Sequence, residues 1–130
     1  MKQEIIIKAN NKLEFIYKYL EIVRGHPDIK LKGETNTEAF AVIIYGMAEL
    51  AKTHNIKSLP ELKELLCKRG WIVDISKYFK GTYSHFLVAL HNLKKANLIN
   101  EYNIPIPYPI IKPILSFSIS SELVIKFELE

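Results

Sequence analysis

One cysteine in 130 residues leaves no pair for a disulfide, and so points to a reducing compartment. Cys67 stands on the apolar side of ELKELLCKRG and is expected to be a small core residue rather than a reactive thiolate. The five glycines are scattered, and no Gly-rich phosphate loop, nucleophile elbow, Cys-x-x-Cys or paired-carboxylate motif occurs. His26, His54, His85 and His91 are equally dispersed, and the last two do not share a helical face, which makes them a poor metal pair. The chain is therefore expected to be no enzyme and to carry no cofactor and no metal. Long hydrophobic runs are missing too. Nothing approaches the ~20 apolar residues of a membrane helix, and MKQEIIIKANN has too short an apolar run for a secretory signal. The expectation is a soluble, cytoplasmic protein without a membrane partner.

What is present fits one domain spanning 1–130, with 48% hydrophobic and 25% charged residues. The net charge of +4 favours an encounter with a polyanion without requiring one. Its basic excess lies in residues 1–33 and 80–101, while the stretch from Tyr102 to the end is slightly acidic.

Periodicity orders the chain. QEIIIKA reads as a first strand. NNKLEFIYKYLEIVRG reads as a helix capped by Asn10 or Asn11, with Leu13, Ile16, Leu20 and Val23 at helical spacing and Gly25 as its stop. Thr35 and Glu38 have capping-box spacing ahead of AFAVIIYGMAELAKTHN. Its broad apolar face of Phe40, Ile43, Ile44, Met47, Leu50 and Ala51 marks a central helix. Gly46, costly in a helix interior, suggests close approach by a neighbouring helix, the alternative being a glycine that is simply tolerated. Ser58 and Glu61 repeat the capping pattern before Leu62, Leu65 and Leu66. WIV reads as a short strand, DISKYF as a single helical turn capped by Asp74, and Trp71 as a core aromatic. Residues 103–113 hold prolines at 105, 107, 109 and 113 and form an extended arm. Alternation in ILSFSIS and LVIKFELE predicts a C-terminal antiparallel hairpin. The expected class is α+β: a helical core of about four helices with a C-terminal β-hairpin.

The stretch GTYSHFLVALHNLKKANLI carries the functional interest. On a helix from Thr82 to about Asn97, Phe86, Leu87, Ala89, Leu90, Leu93 and Ala96 form the core stripe. The other face shows Ser84, His85, Val88, His91, Asn92 and Lys95, without one carboxylate. Small, hydrogen-bonding and basic groups of this kind suit a helix laid in a major groove. The order SLPELKELLCKRG, then GTYSHFLVALHNLKKANLI, then hairpin resembles a winged helix-turn-helix DNA-binding domain over roughly residues 36–130. The recognition helix of that family ends in a pattern like Ala89-Leu90-x-x-Leu93-x-x-x-x-Leu98-Ile99. In this chain WIVDISKYFKG stands between the two helices, and the proline arm precedes the hairpin. The resemblance implies duplex DNA as partner, read by Ser84, His85, Asn92 and Lys95, with Lys80, Thr82 and Lys94 as phosphate contacts. It implies a small regulator of transcription, or a replication or partition accessory. A solvated helix face is the plainer account of the same residues.

A second function class stays open. The arm and the amphipathic hairpin suit protein contacts, as in a homo-oligomer or a structural or adaptor component of a phage, which would place the protein in a virion. The Lys-, Ile- and Asn-rich composition agrees loosely with a mobile element.

Overall fold

Helical periodicity in the sequence becomes a set of helices gathered around one of them. The computed structural model describes residues 3–6, 9, 11–27, 29–56, 59–67, 70–106 and 126–129. Helix α1 (Lys12–Val23) starts at Asn11, whose side-chain oxygen accepts the Glu14 N–H at 2.8 Å. Phe15, Ile16, Tyr19, Leu20 and Val23 form its buried stripe, while Leu13 and Tyr17 are half-buried against the core.

Helix α2 (Glu34–Thr53) is the long central element expected, but the predicted Thr35–Glu38 capping box does not form. Gly33 is the N-cap at φ 84°, with no side-chain cap, so Thr35 already lies inside the helix. Thr37 is tied into this first turn. It is fully buried, donates its hydroxyl to the Gly33 carbonyl at 2.7 Å, and accepts from Arg24 Nη1 at 3.2 Å. That back-bond to the carbonyl four residues earlier accompanies a helix that already runs from Gly33.

In helix α3 (Leu59–Cys67), Leu62 and Leu66 are buried and Leu65 is half-buried. Cys67 is exposed, contrary to the core role expected of it. It lies about 100° round the helix from Leu66, off the inward stripe. Ser58 lies outside the described residues, and with it the second capping box. The predicted WIV strand is instead helix α4 (Trp71–Ile75), followed by a 3-10 turn at Ser76–Tyr78. Trp71, Ile72 and Ile75 are buried at helical intervals, and Val73 is 63% exposed. The Trp71 indole N–H donates to the Tyr102 carbonyl at 3.3 Å.

Helix α5 (Tyr83–Lys95) follows. Beyond it Asn97 turns left-handed at φ 59°, and the Leu98 N–H reaches back to the Leu93 carbonyl at 3.0 Å, closing the helix end. Residues 98–106 then double back through one antiparallel bridge, Ile99↔Pro105. Asn100 organises that turn by accepting the N–H groups of Tyr102 and Ile104 on its side-chain oxygen. Ile104 and Pro105 are buried, so the start of the proline arm covers its own domain. Residues 107–113 of the arm lie outside the described residues.

The α+β expectation with a C-terminal hairpin is overturned: the molecule is mainly helical. Strand β2 (Lys126–Leu129) pairs antiparallel with β1 (Gln3–Ile6), in the register Gln3↔Leu129 to Ile6↔Lys126. Alternation shows that a segment suits a strand but does not choose its partner, and the N-terminal β-branched run serves equally well. The hairpin's expected first strand, 115–119, lies outside the described residues.

Helix α2 packs against α1, α4 and α5. At Gly46 α4 lies close, since a Cβ built there would stand 2.9 Å from Ile75 Cβ. Gly46→Ala gains about 1 kcal/mol of helix propensity and incurs about 1–3 kcal/mol of overpacking. The expected result is a lower denaturant midpoint at unchanged slope, and an unchanged or higher midpoint would show that α4 yields freely.

Candidate functional site

Helix α5 begins at Thr82, whose hydroxyl accepts the His85 N–H at 3.2 Å, as the sequence predicts. Phe86, Ala89, Leu90 and Leu93 are buried facing the core, and the Phe86 ring sits 5.0 Å from that of Phe79. Leu87, expected in this stripe, is 43% exposed. Successive residues lie about 100° apart, so a helix whose inward line runs through 86, 90 and 93 turns position 87 toward its flank. Ala96, just past the helix, is half-buried as expected.

The opposite face is open. Ser84, His85, His91, Asn92 and Lys95 are exposed, along with Tyr83 at 44%, Leu87 at 43% and Val88 at 60%. The helix carries two lysines in its last turn and no carboxylate from Tyr83 to Lys95. Lys94 is half-buried. Lys80 is exposed, and its backbone N–H donates to Glu38 Oε1 at 2.8 Å, which ties the approach to α5 onto α2. This is the role Glu38 takes in place of the capping box. Of the residues predicted as a site, Ser84, His85, Asn92 and Lys95 share the open face, while Thr82 and Lys80 stand at its entry.

Sequence reasoning missed what lies across from that face. A groove of about 430 Å³ runs between α5 and the start of α2, lined by His85, Val88, Ala89 and Asn92 on one side and by Lys32 to Asn36 on the other. The Asn36 amide donates to the Lys32 carbonyl at 3.0 Å, and its oxygen accepts from Asn92 Nδ2 at 3.4 Å. Asn92 is thereby oriented by a residue 56 positions away, a relation no local signal announces. Glu34 places one carboxylate on the far wall.

A second cleft, about 350 Å³, lies on the α1 side of α2 and is lined by Leu13, Glu14, Tyr17, Glu38, Tyr78 and Lys80, among others. Burial, then the nearby carboxylates of Glu21, Glu34 and Glu38, holds the Tyr17 phenol above its ordinary range, with Arg24 opposing.

Among the described residues no group of three or more His, Cys, Asp or Glu side chains is placed to hold a metal ion. No helix among them is long and apolar enough to cross a membrane. Comparison with protein-family models, with curated proteins and with solved structures finds no match.

The cap at α5 is directly testable. Thr82→Ala removes the acceptor for the His85 N–H and is expected to cost about 1 kcal/mol of stability, seen as a lower melting temperature. Thr82→Ser should restore it, and equal melting of all three proteins would show that the cap contributes nothing.

Proposed function

We propose that this chain is a non-enzymatic duplex-DNA-binding protein, a small regulator or a replication or partition accessory, that lays the outer face of α5 in the major groove. The observation that carries the reading is the open, carboxylate-free face of α5, where Ser84, His85, Asn92 and Lys95 are exposed together. A major groove about 12 Å wide admits a helix, asparagine pairs with adenine through two hydrogen bonds, and lysine reaches guanine or phosphate. Lys80 and Thr82 at the helix entry, with Lys94 near its end, are the phosphate candidates. Of the winged helix-turn-helix resemblance only α5, as the candidate recognition helix, goes with this reading: the helix packed against it is α2 and not α3, and the C-terminal hairpin is no part of it. A second reading, protein docking in a homo-oligomer or an assembly component, is favoured by one observation: Tyr83, Leu87 and Val88 are exposed on this same helix.

Fluorescence anisotropy with labelled duplex DNA at low salt separates the two. DNA binding predicts an affinity that falls with added salt. Lys95→Ala should weaken it, lowering the salt slope by about 0.9 if this lysine meets a phosphate. Asn92→Ala should relax sequence preference. The absence of duplex binding at low salt ends this reading and leaves protein docking. Glu34→Gln gives a test of opposite sign. If the duplex lies along the groove, removing the one carboxylate on its far wall should raise affinity a few-fold. An unchanged affinity would place the duplex away from α2.

A further inference from the structure

Position and stiffness single out one side chain on the α5 face. His85, Val88, Asn92 and Lys95 follow one another at intervals of three, four and three residues, which keeps them on one stripe of a helix. At about 1.5 Å per residue the stripe is about 15 Å long, the length of four to five base steps at about 3.4 Å each. Hydrogen-bonding or charged groups occupy three of its positions. The fourth is Val88, which is 60% exposed, more than any other large apolar residue of α5, and it lines the groove with His85 and Asn92. A lone exposed valine on a protein surface means little by itself. Here it lies inside the stripe of polar groups, on a face whose charge is complementary to phosphate, and its neighbours are those a duplex would meet.

We infer that Val88 is a specificity residue that reads the 5-methyl group of thymine, so that the preferred site holds a thymine beside the base contacted by Asn92. This rests on the DNA-binding reading of α5 given above and adds to it a base preference. The chemistry is particular to the major groove, where thymine alone of the four bases presents a methyl group. A β-branched side chain on a helix keeps essentially one χ1 rotamer, so the two valine methyls are held in place before contact and lose little freedom on making it. Covering them with a thymine methyl removes apolar surface of both partners from water. Leu87, 43% exposed at the flank of the stripe, is longer and more mobile and serves as the control position.

The test uses the full chain and the duplex it enriches from a randomised pool. Each thymine of the enriched site is replaced in turn by deoxyuridine, which deletes the 5-methyl and keeps every base-pairing hydrogen bond. At least one replacement is expected to weaken binding about four-fold, the effect of exposing one methyl-sized group. The Val88→Ala protein should bind the thymine and uracil duplexes alike, while Leu87→Ala keeps the discrimination of the parent. Because Val88 is exposed, its alanine variant should melt with the parent, and circular dichroism checks this. If the parent binds thymine and uracil duplexes equally, the inference falls while α5 remains a DNA-binding helix. If Val88→Ala retains the full preference, the methyl is read elsewhere and the inference falls as well. If no duplex binds at low salt, the DNA-binding reading itself is overturned, and this inference with it.

Discussion

Helix α2 has almost no outward side. From Thr37 through Ala51 it is buried round most of its circumference, with Glu38, Tyr45 and Glu49 on a half-buried line, and α1, α4 and α5 each pack against it. An apolar face this broad is stable only when neighbours cover it. Gly46 brings α4 to a close approach through Ile75, and Thr37 joins the start of α2 to the end of α1 through Arg24. The polar contacts near α5 have the same origin. Glu38 on α2 accepts the Lys80 N–H, and Asn36 orients Asn92.

That arrangement fixes which residues α5 offers to the outside. Burying Phe86, Ala89, Leu90 and Leu93 leaves Ser84, Val88, His91 and Lys95 facing away, because a straight helix has only one orientation that buries that stripe. The α1 side of α2 mixes both signs: Glu14, Glu38 and Lys80 line its cleft, Lys18 pairs with Glu14, and Arg24 acts on Tyr17 against the carboxylates, whereas α5 holds two lysines and no carboxylate. Glu34 stands at the border, in the groove shared with α5.

The legible parts of the sequence were those decided within one or two helical turns. The caps at Asn11 and Thr82 are local hydrogen bonds, and both form. The core stripes of α1, α2 and α5 follow from spacing, as does the need for a close neighbour at Gly46. Errors arose where a local pattern had a distant competitor. Thr35 and Glu38 have capping-box spacing, but α2 starts from Gly33 without a side-chain cap and the Lys80 amide engages Glu38. Trp71 to Ile75 is β-prone by composition, yet these residues bury as a helix turn against α2. Cys67 and Leu87 are apolar residues adjacent to true core positions, and a displacement of one residue rotates each off the inward line.

By itself, then, the sequence determined the positions of α1, α2, α3 and α5, the caps at Asn11 and Thr82, most of the core stripes and a carboxylate-free outer face on α5, since each depends on residues less than about three turns apart. Only the tertiary structure decided that Asn92 is held by Asn36, that Glu34 shares the groove with His85 and Val88, and that the C-terminal strand joins β1. Contacts of that kind link residues dozens of positions apart. Those at α5 follow from how it packs on α2, and no spacing along the chain encodes either that fit or the pairing of the two strands.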